Sequence, residues 1–356
     1  MNQGEIRQAL AQSFVAGIEG TEVQPAELAL FSRQGLGGVI LFSRNVHSPE
    51  QVWRLNSELC QAVRDAGLPP LFAMVDQEGG TVARLKGRFT HGPGFAELGL
   101  SASAPDLYAH GLHMAQEMRA AGFNWNLAPV LDVNATKQGV MAQRSLGSDP
   151  DKVGRLGAAF IKGVKEAGLL ACAKHFPGLG RTTLDTHRDR PRVDLSRAEL
   201  EAVELPPFRQ AIETRVAGIM VCHAVFSALD PQNPASLSPA VIQGLLRTEL
   251  GFQGLVLSDD LEMGALAASL APDQAAVKAY LAGCDLLLIC HHAEYALKAL
   301  DQLVEMSLGG DLPLDRVQKS HKRILKAKAS LSPGPGPLES LTSLLDEHAN
   351  QAQEMT

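Results

Sequence analysis

The chain has 356 residues, of which 45% are hydrophobic and 20% are charged, so it can bury a large core and is not globally disordered. Its net charge of −7 and aromatic content of 5% are not those of a nucleic-acid-binding protein. No apolar run reaches the roughly 18 residues of a membrane span, and charged residues interrupt the first twenty positions, where a signal peptide is apolar. The five cysteines form no Cys-x-x-Cys pair and predict reduced core thiols. We therefore expect a cytoplasmic protein with no membrane or nucleic-acid partner.

Short apolar runs alternate with longer helical segments along the chain. The apolar runs, which predict strands, are 38–42, 71–75, 126–130, 169–173, 218–222, 255–258 and 285–290. The helical segments are 49–66, 105–121, 150–167, 197–214, 239–250, 272–282 and 293–307. Apolar strands separated by helices predict a parallel sheet covered on both faces. Seven such units and one irregular element predict an α/β fold, a (β/α)8 TIM barrel.

Five successive predicted strands are each followed by a polar residue. These residues are Asp76, Asp132, Lys174, His223 and Asp259. Barrel enzymes build their sites from the C-terminal ends of several strands, whereas an open doubly wound sheet binds ligands in one crevice. The pattern favours the barrel and indicates an enzyme.

The most informative stretch is Lys174-His175-Phe176-Pro177-Gly178, followed by Asp185-Thr186-His187. It is predicted to carry a cation, an imidazole and an Asp-x-His pair on a loop at the open end of a strand. Asp185 can orient the His187 imidazole, because side chains two apart in an extended segment point the same way. The alternative is a solvated loop pair. A buried Lys174 needs a partner or a ligand, since an unpaired buried charge costs several kcal/mol in order of magnitude.

Simpler structural roles stay open for the other candidates. Asp259-Asp260 precedes a helical pattern, so either residue could cap that helix. Asp132 could make a turn, and His223 could be a core histidine. His291-His292 is predicted to lie on the loop surface.

The residues alone leave three classes of function open. A metal-dependent hydrolase would use Lys174, His175, His223 and Asp259 around a cation, although the early strands supply no His-x-His pair. A glycosidase would combine a carboxylate nucleophile with a separate proton donor. A non-catalytic sugar-binding barrel would share only the binding groups. No glycine-rich motif has the context of a nucleotide site, so no nucleotide cofactor is expected.

Several motifs resemble those of the family 3 glycoside hydrolases, specifically the bacterial β-N-acetylhexosaminidases of cell-wall recycling. The resemblance covers roughly residues 10 to 330, with the motifs in matching order and approximate spacing. The motifs are Asp76-Gln77-Glu78-Gly79-Gly80, 126–133, Arg144-Ser145, 174–178, 185–187, 234–238 and Ser258-Asp259-Asp260-Leu261-Glu262-Met263.

The resemblance implies a role for each matching residue. Asp259 is similar to the nucleophile that forms a covalent glycosyl-enzyme, and His187, oriented by Asp185, to the general acid/base. The groups similar to those that bind the terminal N-acetylglucosamine are Asp76, Arg84, Arg144, Lys174 and His175. The implied enzyme is a metal-free, cofactor-free monomer that removes non-reducing β-linked N-acetylglucosamine from muropeptides. Transfer to phosphate and β-glucosidase activity are alternatives within the family.

Three departures from the family pattern cluster near the expected site. Thr81 stands where the family usually has arginine, Leu179 replaces a histidine, and Arg181 replaces an aspartate. We expect Arg181 to contact an anionic acceptor. The catalytic domain is predicted over 1–331, followed by a Pro/Gly linker and a short helical tail over 332–356.

Overall fold

The computed structural model of the chain describes residues 1–134, 139, 141–182, 191–332 and 334–354. Within these residues the strands, in chain order, are β1 Phe14–Gly17, β2 Gly38–Leu41, β3 Phe72–Val75, β4 Gln77–Gly79, β5 Val82–Ala83, β6 Trp125–Asn126, β7 Leu170–Phe176, β8 Arg192–Val193, β9 Gly218–Val221, β10 Val225–Phe226, β11 Leu255–Asp260 and β12 Leu286–Ile289. Eight of them close into a parallel barrel in the order β1-β2-β3-β6-β7-β9-β11-β12 and back to β1. The (β/α)8 prediction is confirmed.

Helices surround the barrel. They are α1 Gln3–Ala11, α2 Pro25–Ser32, α3 Pro49–Asp65, α4 Phe95–Ser101, α5 Ala104–Ala120, α6 Pro150–Glu166, α7 Arg197–Glu199, α8 Leu205–Glu213, α9 Gly264–Ala267, α10 Pro272–Ala282, α11 Glu294–Gly309, α12 Leu314–Lys328 and α13 Leu338–Glu354. π-helical segments span Leu200–Glu204 and Ala240–Glu249, and 3₁₀ turns span Ser43–Asn45 and Ala235–Leu237. Among the described helices, none is both long and apolar enough to cross a membrane.

The eighth barrel strand is β1, which the apolar-run pattern did not identify. It is only four residues long and pairs in parallel with β2 on one side and β12 on the other. All four of its residues are buried. A closed barrel leaves no edge, so even a short strand is stabilised when both neighbours hydrogen-bond to it.

The strands are apolar along their length because both of their faces are buried. In β12, Leu286 and Leu288 belong to the cluster inside the barrel, while Leu287 and Ile289 pack with the residues under the helices. Alternate residues of a barrel strand point inward and outward, and here helices cover the outer face. This arrangement explains why no polar alternation marks these strands in the sequence.

Near the C-terminal face, β7 and β6 differ most from their predicted bounds. β7 continues through Phe176, so Lys174 and His175 lie on the strand itself and not on the loop that was expected. β6 ends at Asn126, four residues before the predicted end, and only an isolated bridge joins Val130 to Lys174 farther along. Pro129 lies in this gap and has no N–H to donate to a ladder.

The side chains of Ser48 and Asp149 cap the helices that begin directly after them. The Ser48 side chain accepts from the Gln51 amide before α3, and Asp149 accepts from the amides at the start of α6. Each is followed by proline at the first helical position, where the missing N–H is not needed. These two starts orient the helices that follow β2 and β6.

The tail packs on the outside of the barrel as α13, against α3 and α5. Leu341 and Leu345 are buried, and the His348 ring lies 2.8 Å from the Glu117 carboxylate of α5. The Trp53 indole donates a 2.8 Å hydrogen bond to the Gly336 carbonyl in the preceding segment. The cysteines are all free and buried, as the sequence predicted.

Candidate active site

A cavity of about 280 Å³ opens at the C-terminal ends of the barrel strands. It is the place where polar residues from different strands converge, as expected for a barrel enzyme. The predicted site residues that line it are Asp76, Arg84, Arg144, Lys174, His175 and Asp259. The predicted pair Asp185 and His187 lies outside the described residues.

Lys174 is the centre of a buried charge network. Its ammonium lies 2.6 Å from a carboxylate oxygen of Asp76 and 2.7 Å from one of Glu78, and its side chain is only 2% exposed. Arg144 contacts Glu78 with two nitrogens, at 2.9 and 2.7 Å. Bidentate geometry of this kind fixes both partners, because the planar fork matches the carboxylate. The network therefore presents fixed charges to the cavity.

The same network controls ionisation. Burial opposes the charged form of Glu78, but Lys174 and Arg144 hold the pKa of Glu78 far below its usual range. Burial likewise opposes the charged form of Lys174, and the carboxylates of Asp76 and Glu78 raise its pKa above the ordinary value. Lys174 is therefore protonated, and its ion-pair partners are Asp76 and Glu78 of the same chain.

A small hairpin brings Arg84 back toward the cavity. Strands β4 and β5 pair antiparallel, and Gly79 and Gly80 at their turn have φ of 86° and 56°, a region that favours glycine. The Gln77 side-chain oxygen accepts from the Arg84 amide at 2.8 Å. Thr81 is exposed at this turn. Among the described residues no carboxylate lies within ion-pair distance of Arg84, so its guanidinium remains available to a ligand.

His175 is oriented by Asp132. The His175 Nδ1 lies 2.7 Å from the Asp132 carboxylate, and its Nε2 lies 3.4 Å from a guanidinium nitrogen of Arg144. Since the guanidinium can only donate, Nε2 accepts and Nδ1–H donates to Asp132. Asp132 also accepts from the backbone amide of Leu179 at 2.7 Å. It is therefore not a simple turn residue, because it links the imidazole to the loop that follows β7.

Asp259 lies at the end of β11, with its carboxylate on the cavity. One oxygen accepts from the Asp260 amide at 2.8 Å, and no basic side chain of the described residues is within 4.0 Å of the carboxylate. Burial opposes its ionisation, but the nearby His175 and His223 and the donating Asp260 amide hold the pKa of Asp259 below its ordinary value. The helix-capping alternative is wrong, since α9 begins only at Gly264. Among the described residues, Asp259 has no salt-bridge partner.

Asp260 and His291 lie beside Asp259 at the rim. Burial, with the adjacent Glu262 and Asp259 carboxylates, raises the pKa of Asp260 to about 7. The His291 ring lies 3.8 Å from the Asp260 carboxylate and is 50% exposed. His291 was predicted to lie on the loop surface, and the structure places it on the wall of the cavity.

His223 is a core histidine. Its Nδ1 lies 2.7 Å from the Ser236 hydroxyl and its Nε2 lies 2.9 Å from the Asp260 carbonyl oxygen. Because that carbonyl only accepts, Nε2 carries a proton and fixes the backbone beside the Asp259 carboxylate. With His223 bonded in this way and Lys174 ion-paired, the ligand set of the metal-hydrolase alternative is not arranged as a cage. The described part of the chain contains no cluster of three or more His, Cys, Asp or Glu side chains suited to a metal.

A buried glutamate lies behind the loop that follows β7. Glu204 is 1% exposed, in the π-helical segment before α8, and its carboxylate lies 3.5 Å from Arg181 Nε. Burial and the nearby Asp132 carboxylate raise the pKa of Glu204 to about 7, against the opposing effect of Arg181. Gly178 packs directly on it, and a Cβ there would lie 2.4 Å from a Glu204 oxygen. Arg181 thus turns toward the protein interior.

Three acids position side chains of the site without having been predicted to do so. Glu78, Asp132 and Glu204 carry the contacts that position Arg144, His175 and Arg181. Asp132 was identified as a polar residue after a predicted strand, with a turn as its alternative, and Glu78 lies in the motif 76–80, but neither was assigned a partner. Glu204 had no signal in the sequence, because it lies in a helical segment where an acidic residue is ordinary.

Comparison with known proteins gives consistent similarities. The model of the glycosyl hydrolase family 3 N-terminal domain matches residues 4–327. A β-hexosaminidase of Alkalilimnicola ehrlichii is 38% identical over 307 residues, 85% of this chain and 87% of that protein. A glycoside hydrolase family 3 β-N-acetylglucosaminidase from Paenibacillus sp. has a TM-score of 0.89 and 37% identity, over 96% of this chain and 67% of that one. A β-N-acetylhexosaminidase from Beutenbergia cavernae has a TM-score of 0.84 and 29% identity, over 91% and 98%.

Proposed function

This chain belongs to glycosyl hydrolase family 3, and from that premise we propose that it is a retaining β-N-acetylhexosaminidase that removes terminal N-acetylglucosamine. The observation that carries the proposal is the Asp259 carboxylate, which has no salt bridge to any described residue and faces a cavity lined by fixed cations. A glycosidase nucleophile has to be ionised and unblocked, and the lowered pKa of Asp259 supports that state. The names of the similar proteins support the choice of sugar.

In the proposed first step an Asp259 oxygen attacks the anomeric carbon. The bond from that carbon to the leaving oxygen breaks, and His187 gives its proton to the leaving oxygen. In the second step His187 takes a proton from water, which attacks the same carbon and releases Asp259 as a carboxylate. Two inversions at one carbon give net retention. The role of His187, oriented by Asp185, rests on the resemblance of the Asp185-Thr186-His187 motif.

The charge network suits the non-reacting hydroxyls of the terminal sugar. Lys174, Asp76 and Arg144 point donors and acceptors at one side of the cavity, and His175 is held by Asp132. Arg84, which also lines the cavity, adds a cation that has no ion pair with any described residue. Because these groups are already held by one another, they bind a sugar with little loss of side-chain entropy.

The finer features of the proposal concern substrate, location and organisation. We assign the substrates to muropeptide fragments, the location to the cytoplasm and the assembly to a monomer. Five buried thiols without a disulfide support a reducing compartment. We assign the catalytic domain to 1–331, which contains all eight barrel strands, and treat 332–356 as a linker and a helical tail.

The test is release of 4-nitrophenol from its β-N-acetylglucosaminide, compared with the β-glucoside, in EDTA and with or without phosphate. The proposal expects chelator-resistant cleavage of the N-acetyl substrate to free sugar. Formation of sugar 1-phosphate would reassign the enzyme as a phosphorylase. Preference for the glucoside, or loss of activity only in chelator, would contradict the proposal.

A further inference from the structure

A second, larger cavity adjoins the first one at the mouth of the barrel. Its volume is about 550 Å³, within the range of ligand-binding pockets. Its wall comes from the segments that follow β11 and β12 and includes Glu262, Ser269, Pro272, His291, His292 and Tyr295. His291 lines both cavities, so the outer cavity begins where the inner cavity ends.

A row of aromatic rings runs from the inner cavity into the outer one. Phe42, on the inner wall, stacks on His291 with ring centres 5.8 Å apart and planes at 22°. His291 lies 6.4 Å from His292, and His292 lies 6.1 Å from Tyr295, edge to face. Beyond the row, the Lys298 ammonium lies 5.1 Å from the centre of the Tyr295 ring. The rings thus form a continuous apolar path with polar edges.

Glu262 holds this path in place. It accepts from the backbone amides of His291 and His292, at 2.6 and 3.1 Å, and from the His292 ring at 2.6 Å. Its side chain is 8% exposed, whereas those of His291 and His292 are 50% and 65% exposed. Exposed rings on a backbone pinned by a nearly buried carboxylate are pre-organised for contact with a ligand. The contacts of Glu262 with both residues therefore support a binding role for the exposed rings.

We propose that the outer cavity is a saccharide subsite, which binds the sugar rings on the leaving side of the scissile bond beyond the first. The inference rests on the proposed function. Lys174 and Asp76 are ion-paired on the wall of the inner cavity, which Asp259 and His291 also line. In this assignment the leaving side of a substrate that reacts at Asp259 extends past His291, which both cavities share, to the outer rings. Aromatic faces pack against the C–H faces of pyranoses, and their polar edges hydrogen-bond to hydroxyls.

The charges of the outer cavity favour a neutral saccharide over an acidic peptide. The hydrogen bond and charge of Glu262 raise the pKa of His292, so any proton it gains is offset by that carboxylate. Glu294 and Glu19 also act on His292, and they leave no net positive patch. Lys298 is the cation at the outer end of the row, and at the inner end the guanidinium carbons of Arg44 and Arg84 lie 4.7 and 5.9 Å from the centre of the Phe42 ring. A peptide carboxylate would need more cations than this in order to bind, since a single exposed charge contributes little binding free energy.

The test compares substrates of different length in variants of Tyr295, the outermost ring. We would measure kcat/KM for the 4-nitrophenyl N-acetylglucosaminide and for the β-1,4-linked N-acetylglucosamine tetramer. In Tyr295→Ala the ratio of tetramer to aryl glycoside is expected to fall roughly 3- to 10-fold, the effect of losing one aromatic contact. Tyr295→Phe keeps the ring and should keep the ratio. Tyr108→Ala, on α5 and outside both cavities, is the matched control.

Three other outcomes are distinguishable. An unchanged ratio in Tyr295→Ala would overturn the subsite. If Lys298→Ala impaired only a peptide-bearing muropeptide, while Tyr295→Ala had no effect on the tetramer, the outer cavity would be a peptide site and the saccharide assignment would be wrong. Wild-type protein that releases N-acetylglucosamine from neither substrate would overturn the proposed function itself.

Discussion

Two buried charge clusters lie at opposite ends of the barrel, and they differ in what surrounds them. Lys174, near the C-terminal end of β7, pairs with Asp76 and Glu78 and lines a cavity. Asp285, just before β12, is 0% exposed and accepts from Arg247 at 2.5 Å and Ser320 at 2.9 Å. Both clusters appear in the sequence as a charge beside an apolar run. The difference is the end of the strand at which the charge lies: a charge at the C-terminal end lines the site, and one at the N-terminal end is a structural anchor.

Both carboxylate oxygens of Asp285 are occupied by protein donors. Asp285 also accepts from the Val256 amide at 3.0 Å and faces Arg323 at 3.3 Å, so it ties α12 and the π-helical segment to β11 and β12. On the cavity at the other end, Asp259 and Arg84 have no ion pair within the described chain. The carboxylate of the structural cluster is satisfied by the protein, whereas the site keeps a carboxylate and a guanidinium without an ion-pair partner among the described residues.

The largest effect is expected from Asp259→Asn. We expect kcat/KM for the aryl N-acetylglucosaminide to fall by at least about 10³-fold, because the amide cannot form the glycosyl ester. The unfolding free energy should change little, since Asp259 has no salt bridge to lose within the part of the chain that the structure describes. Added azide should restore product by acting as an external nucleophile. Undiminished activity in the variant would remove Asp259 from the mechanism.

Lys174→Met should damage both activity and stability. We expect kcat/KM to fall roughly 10²-fold, because truncating one partner of a buried charge pair costs about 2–5 kcal/mol. The unfolding free energy should fall by about 3–5 kcal/mol, since Asp76 loses its partner and Glu78 keeps only Arg144. Urea unfolding and steady-state kinetics on the same preparation separate the two effects. Full activity would show that the network serves the fold alone.

Asp285→Asn is the matched variant at the other end of the barrel. We expect the same loss of about 3–5 kcal/mol in unfolding free energy, because buried arginines lose their counter-ion. The kcat/KM of the folded protein should change by less than about 2-fold, since the residue is at the N-terminal face. A large loss of activity at temperatures where the variant is folded would break the distinction between the two clusters.

The smallest effect is expected from Glu204→Gln, and it depends on pH. The pKa of Glu204 is about 7 in the folded protein, above the ordinary value of about 4.3. The folded state therefore holds this proton more tightly, and the resulting stability is present below about pH 4 and lost as the pH rises toward 7. The glutamine variant should gain stability relative to wild type between about pH 5 and about pH 8, by about 1–3 kcal/mol.

Urea unfolding at the two pH values measures this difference. Arg181→Ala is the companion variant, because Arg181 lowers the pKa of Glu204 and its removal should steepen the pH dependence. An equal stability difference at both pH values would show that Glu204 stays ionised when folded.

The sequence alone determined the barrel and the main groups of its site. Apolar runs of four to six residues between helical segments specify buried parallel strands, and that signal is local. Lys174 with His175, and Asp259, were identifiable because each directly follows such a run. The predicted residues Asp76, Arg84, Arg144, Lys174, His175 and Asp259 line one cavity. The irregular eighth unit was anticipated without its position, since the four residues of β1 are too few for a periodic pattern.

Only the tertiary structure decided which charges are paired and which are free. Glu78 meets Arg144 across 66 positions and Asp132 meets His175 across 43, because neighbouring strands carry them to one end of the barrel. No spacing rule in a single sequence gives those distances. His291 is exposed on a loop, as predicted, and only the closed barrel shows that this loop forms part of the wall of two cavities. Strand order and direction, which long-range packing fixes, turned separate polar residues into a closed anchor at one end and an open site at the other.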